Sequence, residues 1–558
     1  MKKLLALIML FYGYTISAQV APHKYFIEFK DKNQNPYSLD HPEQFLSERA
    51  IQRRLSMGIG YEFNDIPVTP AYILSVQNTG AQILNPTKWL NGTTIYLADT
   101  NLIHTIRALP FVKSVTKVSI LKTGKSESLD KFDIENQIVP IPMSLPSIKH
   151  TSAYDYGISF DQIHLVNGDV MHQNGFRGQG KVIAQLDAGF YHVPVLPAFD
   201  SLRANNQILG YKDFVKNGLP IFDDPSDQHG MWVLSIMGGI MPGYLIGSAP
   251  RAGFWLLKTE EKSHEYETEE YNWVSGAEFA DSVGADIITS SLGYTVFDST
   301  FRDHTCADMN GHTTVCTRGA NIAFSKGIVV IVSAGNSGND PGWRCVSAPA
   351  DADFAIACAA VDSNGVRVGF SSLGVDTAGR VKPNVAAMGG LTVIQDAGGG
   401  ISRGSGTSFS APIIAGMTAC LMQAEPAFAN SFIKKAIERA GNHASTPDSL
   451  TGYGIPDFVK AMTIMSINNL NESNSLHAYP NPVLSMTTLS VTSGTGGRVS
   501  VKLINSLGQN AWEKEVNIAA GENKLNINDL SGLTPGVYII LIDSDFYHAR
   551  TKMIKQPD

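Results

Sequence analysis

Four apolar runs constrain this chain more than anything else in it: Lys181–Asp187, Phe254–Lys258, Ala285–Ser290 and Ile328–Ala334. Each is dominated by Val, Ile, Leu and Ala, ends in a small or polar residue, and is followed by helix-like spacing. Strands without polar alternation are buried on both faces. Such strands alternating with helices make an α/β fold, a mostly parallel sheet covered by helices on both faces. Sheets of this kind bind ligands beyond the carboxyl ends of their strands. Asp187, the run Ser291-Leu292-Gly293 and Asn336 all stand at or just past such ends.

At 558 residues the chain exceeds what one core organises, so several units are expected. Residues 1–18 read as a signal peptide: Lys2-Lys3, an apolar run and Ser17-Ala18, too short for a confident membrane span. Residues 19–120 alternate short strands with helix-like stretches and form an α+β unit. Residues 121–154 carry no sustained period and read as a linker with a processing site; the α/β domain follows over 155–465. A polar linker is expected at 466–476, and 477–558 reads as an all-β sandwich of short strands between Gly, Asn, Asp and Pro clusters. The net charge of -8, with no long basic run, argues against a nucleic-acid partner. All five cysteines fall after residue 300; any four allow three pairings, close spacing points to Cys306 with Cys316 and Cys345 with Cys358, and the alternative is that Cys358 and Cys420, both in apolar runs, are buried thiols.

The chemistry concentrates in Gly404-Ser405-Gly406-Thr407-Ser408, followed by an apolar helix pattern. A hydroxyl at a helix N-terminus meets free backbone N–H groups able to receive an oxyanion. A serine nucleophile also needs a base and a group to orient that base. His229 opens an apolar helix pattern, and a histidine near neutral pKa exchanges protons. Asp187 closes a buried strand and is the candidate orienting carboxylate. Asn336, in Ser333-Ala334-Gly335-Asn336-Ser337-Gly338, offers an amide to the oxyanion. Taken singly, these residues are ordinary turn or cap residues.

Together, in the order Asp187, His229, Asn336, Ser408, and with Phe370-Ser371-Ser372-Leu373-Gly374, Lys382-Pro383-Asn384-Val385 and Gly452-Tyr453-Gly454, they resemble the subtilisin-like serine proteases over 155–465. The resemblance implies a secreted serine endopeptidase acting through an acyl-enzyme. It assigns Asp187, His229 and Ser408 as catalytic, Asn336 to the oxyanion, and Ser291, Leu292 and Gly293 to a wall that binds substrate. Protein or peptide substrates follow. No cofactor is called for, although the acidic stretches 260–272 and 297–318 admit a structural calcium. Met231 stands where the family usually has threonine, and the family's calcium loop has no room between Gly238 and Ala249.

The N-terminal unit resembles the inhibitory propeptides of these proteases, so the chain's own propeptide is an expected partner. The C-terminal unit resembles the sorting domains of type IX secretion substrates through Tyr479-Pro480-Asn481-Pro482, Leu503–Gly508 and Gly536–Ile540. That implies the type IX secretion machinery of a Gram-negative cell, and a product secreted or held at the cell surface after crossing the outer membrane. A rival reading is a catalytically silent surface-displayed binding or adhesion protein on the same fold. Another is an esterase or peptide ligase using the same residues.

Overall fold

The computed structural model describes residues 23–119, 131–142, 153–215, 220–262, 264–298, 303–374, 379–426, 428–472, 476–493, 495–505, 509–528, 530–544 and 548–557. Contacts divide the chain into Met1–Ala461 and Met462–Asp558. The signal-peptide reading falls outside the described residues.

In the N-terminal part, β1 (Lys24–Phe29), α1 (Glu48–Ser56), α2 (Pro70–Gln77), β2 (Gln82–Thr87), β3 (Gly92–Tyr96), α3 (Ile103–Arg107) and β4 (Val112–Lys117) build an antiparallel sheet ordered β2-β3-β1-β4. β2 is not legible in the sequence, since Asn85 and Pro86 break the strand pattern and the register shifts between Ile83 and Asn85. One face of β1 sends Ile27 and Phe29 into a core with Val76, Ile95 and Ile106. Its other face carries Phe26, whose ring lies 4.5 Å from that of Tyr271. A third strand set begins at β5 (Val139–Ile141), inside the expected linker.

The α/β part continues through β6 (Val182–Asp187), β7 (Ile208–Asp213), α4 (His229–Gly238), β8 (Gly253–Lys258), α5 (Thr268–Val283), β9 (Ile287–Ser290), α6 (Val315–Ser325), β10 (Val329–Ser333), β11 (Ile356–Val361), β12 (Val385–Met388), β13 (Thr392–Gln395), β14 (Ile401–Gly404), α7 (Thr407–Ala424) and α8 (Asn430–Ala440). Seven strands form a parallel sheet in the order β12-β11-β10-β9-β6-β8-β7. This matches the expected architecture. The register pairs Ser290 with Leu186 on one side and with Val332 on the other, so the ends of β6, β9 and β10 share one rim. α7 is buried almost throughout, as a helix apolar on all sides must be. A smaller antiparallel sheet, β13-β14-β5, lies just ahead of α7 in the chain.

The N-terminal sheet docks on α5 through buried charge. Arg53 and Arg54 donate to Asp281 at 2.6 and 2.7 Å, and the backbone N–H groups of Lys88 and Trp89 donate to Glu278 at 2.8 and 2.9 Å. Lys326 reaches across to Asp65 at 3.1 Å.

The expected cysteine pairs do not form. Cys306 is bonded to Cys345, 39 residues away, with Cα atoms 5.8 Å apart, while Cys316, Cys358 and Cys420 are buried thiols. Sequence spacing measures loop length rather than Cα separation, and Cys316 and Cys358 lie inside α6 and β11, where both face the core.

α9 (Phe458–Glu472) runs through much of the stretch expected as a polar linker at 466–476. Beyond it, β15 (Leu476–Tyr479), β16 (Thr487–Ser493), β17 (Gly497–Asn505), β18 (Asn510–Ile518), β19 (Gly521–Ile527), β20 (Gly536–Asp543) and β21 (His548–Lys555) form antiparallel sheets ordered β15-β16-β19 and β18-β17-β20-β21. Alternate residues such as Leu489, Val491, Val499, Val501 and Leu503 fill one core, giving the expected all-β unit. β18 carries no strand signal of its own in the sequence, because Ala511-Trp512-Glu513-Lys514-Glu515 is too polar to signal burial. Residues 506–508 of the expected sorting motif lie outside the described residues. Among the described residues no helix is long and apolar enough to cross a membrane.

Candidate active site

Asp187 is the last residue of β6, fully buried. Its Oδ1 lies 2.6 Å from His229 Nδ1 and accepts from Ala188 N at 2.9 Å; its Oδ2 accepts from Gln185 Nε2 at 3.0 Å. Gln185 stands two residues earlier, on the same side of the strand, and also donates to Gly230 O at 2.8 Å. It thereby ties the carboxylate to the first turn of α4. Gly230 has no room for a side chain: a Cβ there would sit 2.3 Å from Gly189 O. The close approach of that turn to β6 is what brings the imidazole onto Asp187.

Burial works against a charged His229 ring, but the charge and hydrogen bond of Asp187, then the charge of Glu135, raise its pKa above the usual 6.5. The ring stacks on Phe132 with centroids 4.1 Å apart. Its Nε2 has no hydrogen-bond partner among the described residues.

Ser408 sits in the first turn of α7. Pro412, four residues on, has no N–H to give to the Ser408 carbonyl. Ser291 Oγ donates to that carbonyl instead, at 2.9 Å, fastening the start of α7 to the end of β9. Ser408 Oγ donates to Glu135 Oε1 at 2.6 Å. Asn336 follows Gly335, whose φ of +103° and near contact with Ser347 suit only glycine. The Asn336 Oδ1 accepts from both Thr407 N and Thr407 Oγ1 at 2.9 Å. This fixes the amide with Nδ2 outward, donating to the same Glu135 Oε1 at 2.6 Å. Ser291, Leu292 and Gly293 line a cavity of ≈ 360 Å³ together with Asn336, Ser408 and residues 131–135.

The segment 131–142, expected as part of an unstructured linker, therefore fills the site. It begins as a tight turn, with Asn136 N donating to Phe132 O at 2.8 Å, and ends as β5 paired with β14. Glu135 is 2 % exposed. Burial raises its carboxyl pKa above the usual 4.5, offset in part by His229, Ser408 and Asn336.

The structure brings Asp187 and His229 together, and Asn336 and Ser408 together. The two pairs are not joined by a hydrogen bond, because Phe132 covers the imidazole and Glu135 engages the serine hydroxyl. Sequence reasoning missed Gln185, Thr407, Phe132 and Glu135. Period two from Asp187 pointed to the first, and adjacency to Ser408 to the second; no local pattern marks the other two.

Comparison with known proteins fits this arrangement. Residues 178–454 match the model of the subtilase family. The chain belongs to the subtilase family. Residues 24–131 match the peptidase S8 propeptide domain of Bacteroidota, and 477–556 the secretion system C-terminal sorting domain. Similar proteins include subtilisin NAT of Bacillus subtilis subsp. natto, 26% identical over 53% of this chain and 68% of that protein. The thermostable alkaline protease of Halalkalibacterium halodurans is 26% identical over 64% of this chain and 84% of that protein. A crystal structure of MycP1 with its N-terminal propeptide removed is 23% identical, covering 54% of this chain and 96% of that one, with a TM-score of 0.42. The subtilase is thus a serine-type endopeptidase made with its own propeptide, and its sorting domain marks it for export across the outer membrane to the cell surface or beyond.

Proposed function

We propose that this subtilase hydrolyses peptide bonds with Ser408 as nucleophile, His229 as general base and Asp187 as the carboxylate that orients the ring, and that the described state is its inhibited precursor. The observation that carries the reading is Glu135 Oε1. One carboxyl oxygen receives both the Ser408 hydroxyl and the Asn336 amide, each at 2.6 Å, which is the place a tetrahedral oxyanion needs.

With the segment withdrawn, His229 Nε2 accepts the Ser408 proton as Oγ bonds to the scissile carbonyl carbon. Asp187 Oδ1 holds the Nδ1–H and stabilises the imidazolium. Asn336 Nδ2 and the Ser408 backbone N–H take the oxyanion. The intermediate collapses when His229 returns the proton to the leaving amine, giving an acyl-enzyme. Water, deprotonated by the same ring, releases the acid. Ser291, Leu292 and Gly293 pair with the substrate backbone as an added strand. The turn over 132–136 explains why the precursor's own segment is not cut in place: the Phe132 and Ile134 carbonyls are engaged by Asn136 N and Gln137 N, and a side chain occupies the oxyanion position. Processing falls within residues 121–154, and the type IX secretion machinery reads the C-terminal unit.

Labelling of the secreted, processed protein by a fluorophosphonate tests the assignment. The label is expected on Ser408 and absent after Ser408→Ala, with the secreted chain starting between residues 121 and 155. A processed protein that resists labelling, or whose Ser408→Ala form is labelled equally, refutes it.

A further inference from the structure

Lys131, four residues ahead of Glu135, is held by three carboxylates that the catalytic scheme does not use. Its Nζ is bonded to Glu260, and lies 3.0 Å from Glu265 Oε2 and 3.3 Å from Glu269 Oε2. The three carboxylates lie within 4.8 Å of one another, all buried. Three carboxylates and one ammonium leave excess negative charge in a nearly dry site. Burial accordingly raises the Glu269 carboxyl well above its usual value and lifts Glu265 to about 8. Glu265 Oε1 and Glu260 Oε2 remain without hydrogen-bond partners among the described residues.

The pocket belongs to the cleft. Glu260 and Glu265 line the same cavity as Ser291, Leu292, Gly293, Asn336 and Ser408. The ammonium inside it comes from the segment that covers the serine, and residues 24–131 are the part matched by the propeptide model. The segment runs from the acidic pocket, past Ser408, to β5 on β14. A peptide following the same path places the pocket on the N-terminal side of the bond that is cut.

We propose that Glu260, Glu265 and Glu269 form a substrate subsite that takes a lysine or arginine side chain N-terminal to the scissile bond, and that Lys131 is its occupant in the precursor. The inference rests on the peptidase reading above. Departure of Lys131 strands buried carboxylates, and a substrate cation restores what they lost. A neutral side chain of equal length fills the volume and leaves the charge unpaired.

The test uses the secreted, processed enzyme and peptides in which one Lys, Arg or norleucine is moved through the six positions before the cleaved bond. At one position Lys and Arg are expected to exceed norleucine by about 100-fold in kcat/KM, or about 2.8 kcal/mol at 1.4 kcal/mol per decade. That ratio falls toward one in Glu265→Gln/Glu269→Gln; general damage lowers both substrates and leaves the ratio standing. A flat scan with active, fluorophosphonate-labelled enzyme overturns the subsite and spares the peptidase. If no peptide is cut and Ser408 is not labelled, the peptidase reading fails by itself. Calorimetry then still reads the pocket, by comparing the 131–142 peptide with its analogue carrying norleucine in place of Lys131. A loss of about 100-fold in affinity supports the pocket, and equal affinities overturn it. Stoichiometric Ca²⁺ binding that disappears in Glu265→Gln/Glu269→Gln, together with a flat scan, overturns it in favour of a metal.

Discussion

Two parts of the N-terminal half grip the rest of the protein in different ways. Around α5 the contact is broad and ionic, with Arg53, Arg54 and Lys88 converging on Asp281 and three groups of Thr87–Trp89 on Glu278. At the cleft it is one turn of chain whose two decisive side chains, Phe132 and Glu135, touch His229 and the Ser408–Asn336 pair. In the proposed precursor the first would hold the propeptide on and the second would keep the chemistry off. Separating these tasks lets the block lift while the domain stays docked.

The largest effect is expected from breaking the docking contact. Asp281→Ala leaves the Arg53 guanidinium and the Lys88 ammonium buried without their carboxylate and Arg54 with Asp65 alone, a loss on the order of 3–5 kcal/mol. The separately added propeptide should then inhibit the processed enzyme about 10²- to 4 × 10³-fold more weakly, since each tenfold change in affinity corresponds to about 1.4 kcal/mol. Inhibition unchanged within threefold would show that the cleft contact alone carries the affinity.

A smaller effect is expected at the cleft. Glu135→Ala removes one charged acceptor from Ser408 and Asn336, worth about 1.5–3 kcal/mol. Release of the N-terminal unit, followed by gel and N-terminal sequencing, should accelerate about tenfold, with a smaller loss of docking affinity than Asp281→Ala gives. Slower release would reverse the role given to this side chain.

The smallest is a pH trend that separates the two contacts. Docking raises the Glu135 pKa, burial being the main cause; at His229, burial lowers the pKa while Asp187, which stays with the ring after release, and the charge of Glu135 raise it. A group raised in the docked state favours docking below its free value, 4.5 for Glu135, and loses that contribution as pH climbs through the docked one. Asp281 is the opposite case: Lys88, Arg53 and Arg54 outweigh its burial and hold it below 3.8, so its contribution is lost only as pH falls through that lower value. Release should therefore quicken as pH climbs above 4.5, from about pH 5 to 8, as the Glu135 carboxyl loses the proton that docking favours. In the processed enzyme kcat/KM should rise over the same window, because only neutral imidazole accepts the serine proton. A flat profile for both would remove His229 from the scheme.

The sequence made the parallel sheet legible because Val329–Ser333 and its sister strands are apolar without interruption, which only burial on both faces explains. Asp187, His229, Asn336 and Ser408 were readable from strand ends and helix starts. Their shared rim follows from the parallel register. Glu135 and Phe132 were not, since their partners lie 201 and 273 positions away for the glutamate alone and the local polarity of 121–154 suggested a spacer. The bond between Cys306 and Cys345 was hidden for the same reason: distance along the chain says little about which loops the sheet brings to one end.

The short β5–β14 pairing reaches further than its three residues suggest. A break anywhere upstream of Val139 creates a fresh amino terminus whose first residues are still stitched to the strand leading into Ser408, through Val139–Arg403, Pro140–Ser402 and Ile141–Ile401. Severing the chain and vacating the cleft are then distinct events with separate rates. With processing upstream of Val139, as proposed, maturation would acquire a lag in which the enzyme is already cut and still silent.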